Sequence, residues 1–266
     1  MRSSPPPFPL PDQPSVAGTR APVGLHVLTV NAHKGFTFFN RKMILHELRD
    51  AIRYAAPDVV FLQEIIGEHQ RHASRYQAWP TLTQYEFLAD ELWPNFAYGR
   101  NAVYTDGHHG NAILSKYPII AYDNHDISVP GHENRGLLHC VLDVEGVPVH
   151  AVCVHLGLHE THRRLQLESL CALLRDTLPD GEPVVVAGDF NDWRRRAGQV
   201  LAACGATEVY TDSFGAPART FPARFPLLPL DRIYVRNIRQ FKPRPMSARP
   251  WRALSDHLPI AAEVEV

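Results

Sequence analysis

Several apolar-rich segments of the chain end in a carboxylate, an amide or an imidazole. The clearest is Val184–Ala187, which leads through Gly188 into Asp189 and Asn191. Runs of this kind are typical of strands buried on both faces. The same pattern predicts strands over residues 25–31, 58–64, 110–115, 137–144, 147–155, 232–235 and 259–266. We therefore expect many strands to end in polar side chains.

Helical spacing of apolar residues occurs in two longer segments. Residues 41–56 keep this spacing up to a proline, and residues 159–178 carry a stripe of leucines. A shorter helix is predicted near residues 197–203, and residues 215–230 are rich in proline and irregular. Because strands outnumber helices and do not alternate regularly with them, the pattern indicates one α/β domain.

The N-terminal segment differs from the rest in composition. Residues 1–22 contain several prolines and few large apolar residues, so they cannot bury enough surface to become ordered by themselves. We interpret residues 1–22 as a flexible arm and residues 23–266 as the single domain.

Composition narrows the classes of function. The 266 residues include 27 Lys and Arg against 28 Asp and Glu, so no overall positive charge attracts nucleic acid. No segment approaches the roughly 18 apolar residues of a membrane span, and the N-terminus lacks the layout of a signal peptide. We expect a monomeric cytoplasmic protein. Four cysteines without CxxC spacing (Cys140, Cys153, Cys171 and Cys204) are expected to be buried free thiols.

The polar residues at the strand ends suggest one reactive centre. They are Asn31, Glu64, His155, Asp189, Asn191, Asp231, Asp256 and His257. Each has an ordinary alternative: Asp189 and Asn191 could form an Asx turn, and Glu64 could be a surface carboxylate. Together they suit phosphoester hydrolysis, which needs a cation, a base that aligns water, and hydrogen-bond donors for the developing charge.

Roles for some of these residues follow from their chemistry. Glu64 is the natural carboxylate for a divalent cation, and Asp256 could complete the set of cation ligands. His257 could accept a proton from water if Asp231 orients its ring and raises its basicity. Asp189 and Asn191 could bind the cation or a phosphoryl oxygen.

With these residues the chain resembles the endonuclease/exonuclease/phosphatase superfamily, which has the DNase I-like fold. The matching segments run in order from about residue 25 to 265. They are Asn31, Leu62-Gln63-Glu64, Gly110-Asn111-Ala112-Ile113-Leu114-Ser115, Val154-His155-Leu156, Gly188-Asp189-Phe190-Asn191, Leu230-Asp231-Arg232-Ile233 and Ser255-Asp256-His257. The resemblance implies a four-layer α-β-β-α sandwich, in which two packed and mostly antiparallel sheets are flanked by helices.

The resemblance also implies roles for individual residues. Mg²⁺ or Mn²⁺ would be held chiefly by Glu64, with Asn31 beside it. Asp189 and Asn191 would position water and the phosphoryl group, and His257 would pair with Asp231. His155 would be a second histidine that steadies a phosphate oxygen or protonates the leaving group. Arg135 and Asn111 would contact the substrate, although a surface position for Arg135 is equally compatible with the sequence.

One departure from the resemblance concerns the substrate. DNA-repair members carry an acid two residues after the asparagine, where this chain has His33. The pattern looks more like short stand-alone bacterial members near the sphingomyelinases and inositol phosphatases, and like domains of lipid-anchor-remodelling proteins. We therefore expect a metal-dependent phosphoric ester hydrolase acting on a lipid-linked or small-molecule phosphoester, with transient contact at a membrane surface. The alternatives are a nuclease and a non-catalytic phosphate-binding module.

Two surface features could select the substrate. The segment from residue 219 to 252 contains nine basic residues and a single acidic one. It could form a solvated basic face, which we favour, or a surface that recruits phosphate. Within that segment residues 221–230 are apolar, and we favour a wall of the core over a lip that contacts an apolar group. For Trp193 and Trp251 we favour core packing over stacking on a substrate.

Overall fold

The computed structural model describes residues 21–37, 42–76 and 78–266, so residues 1–20 of the predicted arm lie outside the described residues. The described strands are β1 Gly24–Asn31, β2 Val59–His69, β3 Asn95–Tyr104, β4 Gly107–Ser115, β5 Ile119–Asp126, β6 Gly136–Val144, β7 Val147–His155, β8 Val184–Asp189, β9 Thr207–Glu208, β10 Asp231–Arg236, β11 Gln240–Arg244 and β12 Ile260–Glu265. The helices are α1 Leu45–Ala55, α2 Gln70–Arg75, α3 Gln84–Ala89, α4 Glu160–Ala172, α5 Ala197–Ala202 and α6 Val209–Phe214.

These strands form two six-stranded sheets. The orders are β11-β12-β1-β2-β4-β3 in the first sheet and β5-β6-β7-β8-β10-β9 in the second. Only β1 with β2 and β7 with β8 pair in parallel, and the other pairs are antiparallel. In the first sheet the C-terminal strand β12 lies between β11 and the N-terminal strand β1.

Three apolar clusters separate the layers. One contains inward-facing residues of both sheets, such as Phe61 and Leu138, and fills the space between them. A second joins the outer face of the first sheet to α1 and α3 around the fully buried Trp93. A third joins the outer face of the second sheet to α4 and α5. The predicted four-layer α-β-β-α sandwich is confirmed.

The largest differences from the predicted elements have local causes. Strand β2 continues past Glu64 to His69 because a bulge between Leu62 and Ile65 takes up extra residues. The described part of the first predicted helix begins at Leu45 rather than residue 41. Helix α4 changes at Leu173 into one π-helical turn. Strand β11 was not predicted, since its alternating and Pro-containing sequence, GlnPheLysProArg, suits only the edge of a sheet.

The expectation for the cysteines is half wrong. Cys140 and Cys153 are free and buried, as predicted. Cys171 of α4 and Cys204, just after α5, form a disulfide with their Cα atoms 5.7 Å apart. The two helices pack side by side on the same sheet, a proximity that a separation of 33 residues in sequence does not reveal.

No helix in the described part of the chain is long and apolar enough to cross a membrane. The predicted cytoplasmic location and monomeric state stay predictions.

Candidate active site

The ends of the central strands of both sheets meet, and they bring the polar residues together. Asn31 ends β1 and lies opposite Gln63 of β2. In the second sheet, Asp189 at the end of β8 lies opposite both His155 of β7 and Asp231 of β10. Because the two sheets face each other, these ends form one polar floor.

Asp189 is at the centre of this floor. Its Oδ1 accepts the backbone N–H of Asn191 at 2.8 Å, and its Oδ2 accepts the Asn31 side-chain amide at 3.1 Å. The same Oδ2 lies 3.7 Å from His155 Nε2 and 3.8 Å from His257 Nε2. One carboxylate oxygen therefore faces two imidazole nitrogens contributed by different parts of the chain.

His257 and Asp231 form a buried pair. His257 Nδ1 lies 2.8 Å from Asp231 Oδ2, so the ring donates from Nδ1 and presents Nε2 to Asp189. The Thr220 hydroxyl accepts the backbone N–H of Asp231 at 3.3 Å, and the Phe221 ring packs 5.0 Å from the imidazole. Neighbouring residues thus fix both partners.

The ionisable groups of the floor have pKa values shifted in different directions. Burial raises the pKa of Asp189 to about 6, an effect that His257 opposes. Burial alone would lower the pKa of His257, but the charges of Asp231 and Asp189 raise it to about 10. Burial, followed by the charge of Arg135, holds the pKa of His155 well below its ordinary value. At neutral pH the floor holds one imidazolium, one neutral imidazole and a carboxylate close to its titration.

A second group of side chains lies on the side of the first sheet. Glu64 stands at the bulge of β2 with a φ of 54°. Asp256 lies next to His257, and the Nδ1 atom of His33 is 3.3 Å from Asp256 Oδ2 and 4.0 Å from Glu64 Oε2. Ser255 donates from Oγ to the carbonyl of Asn31 at 2.7 Å, which ties this loop to β1.

Both asparagines of the floor use their side-chain amides within the protein. Asn31 Oδ1 accepts the backbone N–H of His33 at 3.0 Å, which fixes the orientation of this amide. Its NH₂ group therefore faces Asp189 and lies 3.5 Å from Glu64 Oε1. The amide NH₂ of Asn191, a residue with a φ of 49°, donates to the carbonyl of Leu156 at 2.9 Å.

The two residues predicted to contact substrate are buried. Asn111 is 0% exposed, and its NH₂ group donates to the carbonyls of Gly136 and Cys153, so it links the two sheets. Arg135 forms a 3.0 Å ion pair with Glu133 and donates to the carbonyl of Leu156. Sequence reasoning missed Glu133, which also pairs with His109 at 2.9 Å, because it lies in a loop without an apolar run before it.

Two sets of residues could hold a cation. Ligand atoms of Asp189, Asp231 and His257 lie within 4.8 Å of one another. In that set, however, Asp231 Oδ2 and His257 Nδ1 already bind each other at 2.8 Å. Glu64 and Asp256 are partly exposed, and among the described residues neither has a Lys or Arg partner within 4.0 Å. Their unneutralised oxygens fit a hard divalent cation better.

The apolar segment beside the site is only in part the wall of the core that we favoured, since Ala223 and Leu230 are buried but its middle is exposed. Phe225 is 76% exposed and Leu227 is 58% exposed, whereas Phe221 at the same turn packs against His257. The segment is exposed because a tight loop, with a bridge between Phe221 and Leu228, turns these side chains outward. Of the two tryptophans, Trp251 is buried as expected and Trp193 is 47% exposed.

Four of the nine basic residues between positions 219 and 252 have partners within the protein. Arg232 is buried and donates to backbone carbonyls, Arg236 pairs with Asp180, and Lys242 and Arg244 pair with Glu263. The other five, Arg219, Arg224, Arg239, Arg249 and Arg252, are exposed, as the solvated basic face that we favoured requires.

Comparison with known proteins supplies the context for this geometry. The sequence pattern described as "Endonuclease/Exonuclease/phosphatase family" matches residues 28–257. "Uncharacterized protein YbhP" of Escherichia coli (strain K12) is 55% identical over 243 residues, which are 90% of this chain and 96% of that protein. A crystal structure of an endonuclease/exonuclease/phosphatase from Beutenbergia cavernae has a TM-score of 0.74 at 20% identity, covering 91% of this chain and 72% of that one. D. rerio TDP2 complexed with single-strand DNA product has a TM-score of 0.65 at 18% identity, covering 91% and 98%.

Proposed function

This chain belongs to the endonuclease/exonuclease/phosphatase family, and on that premise we propose that it is a divalent-cation-dependent hydrolase of phosphate esters. One observation carries the proposal: His155 and His257 converge on a single oxygen of Asp189, at 3.7 and 3.8 Å. A carboxylate flanked by two imidazoles offers both a proton acceptor and hydrogen-bond donors at one point. Hydrolysis at phosphorus needs these groups together.

Asp189 is our choice for the base. Its pKa of about 6 leaves it ionised at neutral pH and basic enough to accept a proton from water. The NH₂ group of Asn31 and the backbone N–H of Asn191 fix the carboxylate in place. The water oxygen then forms its bond to phosphorus while the ester P–O bond breaks.

The two histidines have different tasks in this scheme. His257 is held as an imidazolium by Asp231, so its Nε2–H can stabilise the negative charge that develops on a phosphoryl oxygen. His155 is neutral and can donate a hydrogen bond to a phosphoryl oxygen. A cation held by Glu64 and Asp256 would neutralise further phosphoryl charge. We assign Asn31 to positioning Asp189, since its NH₂ group faces that residue.

The surroundings of the floor favour a substrate with an apolar part. Phe225 and Leu227 are exposed in the segment that also contacts His257 through Phe221. A cavity of about 540 Å³ is lined by apolar groups, by the cations Lys42, Arg224 and Arg252, and by the carboxylates of Glu47 and Asp256. Apolar surface with a few cations suits an amphipathic phosphoester, such as a lipid or a lipid-linked headgroup.

A nuclease activity is the second candidate, and one observation favours it. The guanidinium of Arg194 lies 4.6 Å from the centroid of the exposed Trp193 ring, directly after the Asp189–Asn191 loop. Such a pair can stack on a base and bind a phosphate. Among the structural neighbours, D. rerio TDP2 was solved with a single-strand DNA product.

A substrate panel separates these candidates. The purified protein is tested with Mg²⁺ or Mn²⁺ on sphingomyelin, glycerophospholipids, inositol phosphates, plasmid DNA and an abasic oligonucleotide, with Asp189→Asn as the blank. We expect cation-dependent turnover of a lipid or small-molecule ester that falls in Phe225→Ser/Leu227→Ser. Preferred turnover of DNA that falls in Trp193→Ala instead would support the nuclease. Phosphate binding without any turnover would support the non-catalytic module.

A further inference from the structure

His33 occupies the place where the two partly exposed carboxylates of the site approach each other. Its Nδ1 atom lies 3.3 Å from Asp256 Oδ2 and 4.0 Å from Glu64 Oε2. We propose that His33 is a nitrogen ligand of the cation held by Glu64 and Asp256, and that it makes the site prefer transition-metal ions such as Mn²⁺ over Mg²⁺. This inference rests on the cation dependence of the proposed function.

Two of the three separations among the ligand atoms suit one shared ion. For bonds of about 2.1 Å, adjacent octahedral ligands lie about 3.0 Å apart and opposite ligands about 4.2 Å apart. The two distances from His33 Nδ1, 3.3 and 4.0 Å, fall between these limits. Glu64 and Asp256 are not both within 4.8 Å of each other and of His33, so their side chains would have to move toward each other to bind one ion.

The backbone holds the His33 ring in this place. His33 and Lys34 have φ values of 44° and 58°, in the left-handed region that residues with a side chain seldom adopt. The turn is fixed because His33 donates its backbone N–H to Asn31 and because Gln84 donates to the Lys34 carbonyl at 2.9 Å. Glu64 also has a positive φ. Two strained positions face each other across the site, as is common where side chains are preorganised for a ligand.

The ligand type determines the preference for the ion. Mg²⁺ prefers oxygen ligands, whereas imidazole nitrogen suits the divalent ions of the later first-row metals. Mn²⁺ accepts both and is paramagnetic, so it serves as the probe. Replacing an oxygen ligand by an imidazole nitrogen should therefore weaken the binding of Mn²⁺ less than the binding of Mg²⁺. A site of two carboxylates and one imidazole should favour Mn²⁺.

A different role for His33 gives opposite expectations. As an imidazolium, His33 could neutralise Glu64 and Asp256 and so compete with a cation. Removing it would then strengthen cation binding. If His33 is a ligand, its removal weakens the binding of Mn²⁺.

Mn²⁺ binding is measured on the full-length protein by calorimetry, and nitrogen coordination by pulsed electron paramagnetic resonance of the bound Mn²⁺. We expect ¹⁴N coupling in the wild type and its loss in His33→Asp, with Mn²⁺ still bound. His33→Ala should weaken Mn²⁺ binding by about 10-fold or more, on the scale of altered metal sites. His33→Asp should shift the ratio of the Mg²⁺ and Mn²⁺ dissociation constants toward Mg²⁺.

His159→Ala is the matched control. His159 belongs to a separate group of close imidazoles, formed with His132 and His162 near the same end of the second sheet. His159→Ala should leave the ¹⁴N coupling unchanged. Bound Mn²⁺ without ¹⁴N coupling, coupling that persists in His33→Asp, or tighter binding in His33→Ala would each overturn the role of His33 and leave the proposed hydrolase intact. Failure of any divalent cation to bind the wild type would overturn both.

Discussion

Asp231 Oδ2 and His257 Nδ1 lie 2.8 Å apart, and both side chains are buried. The pair joins the start of β10 to the loop before β12, so it connects the two sheets at the floor of the site. The contact fixes the ring so that Nε2 points to Asp189, and the carboxylate keeps the ring protonated.

The pair leads to a prediction about its charge. Asp231→Asn keeps the shape of the side chain and removes the negative charge, so the pKa of His257 should fall and its imidazolium should be lost. We expect turnover to fall by about 10²-fold or more, as is usual when a catalytic histidine loses the carboxylate that fixes its protonation. Steady-state kinetics on the substrate found in the panel measure this. Asp58 accepts the backbone N–H of His26, far from the floor of the site. Asp58→Asn is therefore the control and should retain activity. Equal activities in the two variants would contradict the assignment.

Glu64 and Asp256 are predicted to be cation ligands. Glu64→Gln and Asp256→Asn preserve side-chain size and remove a charged oxygen, so each should weaken the binding of Mn²⁺ by about 10-fold or more. Calorimetry with Mn²⁺ gives the dissociation constants. Asp231→Asn distinguishes the two candidate sets: it should have a smaller effect than either variant. If Asp231→Asn alone abolished binding, the cation would belong to Asp189, Asp231 and His257.

Gly188 is required by the close approach of β8 to β7. A Cβ atom at this position would lie 1.9 Å from the carbonyl oxygen of Val154, and the φ is +150°. Gly188→Ala should lower the free energy of unfolding by about 3 kcal/mol or more, because backbone must move to accept it. Gly198→Ala in α5 meets no atom within 4 Å and should raise the free energy of unfolding by about 0.5–1 kcal/mol. Denaturant unfolding measures both. Similar effects in the two variants would contradict this packing.

A chain of buried groups on the second sheet should make stability depend on pH. His139 Nε2 is hydrogen-bonded to His150 Nδ1 at 2.8 Å, and His150 Nε2 lies 2.5 Å from Glu182 Oε2. Burial, together with the charges of His150 and His125, lowers the pKa of His139 from 6.5 to about 4. As the pH falls, His139 therefore binds a proton at a higher pH in the unfolded chain than in the folded chain. This contribution to stability is complete above about pH 6.5 and is lost as the pH falls to about 4.

His139→Gln tests this dependence, since glutamine keeps a hydrogen-bonding group beside His150 and does not titrate. The free energy of unfolding, measured from pH 7.5 to 4, should fall less steeply in His139→Gln than in the wild type. Parallel curves would show that His139 does not contribute.

The sequence predicted most of what places the site. The runs of apolar residues located β1, β7, β8 and β10, because a strand buried on both faces is mostly apolar. The polar residues at their ends do come together in space. Sequence could not predict the role of local geometry, since the bulge at Glu64 and the turn at His33 arise from backbone conformations that no apolar pattern encodes.

Other features depend on contacts between distant segments. The exposure of Phe225 follows from a loop whose ends are fixed by the fold, and the pairing of Cys171 with Cys204 follows from two helices that share one sheet. Apolar character alone suggested the core for the first and separate thiols for the second. The catalytic and metal roles of the site residues stay predictions.

The central claim is that Asp189 directs water to phosphorus with the help of a divalent cation. The most direct measurement is hydrolysis of bis(p-nitrophenyl) phosphate in H₂¹⁸O by the wild type with Mn²⁺, by the wild type with a chelator, and by Asp189→Asn. We predict release of p-nitrophenol only from the wild type with Mn²⁺, with one ¹⁸O atom in the phosphoryl product. Release that is unchanged by the chelator or by Asp189→Asn would contradict the claim, as would the absence of release with Mn²⁺ shown to be bound.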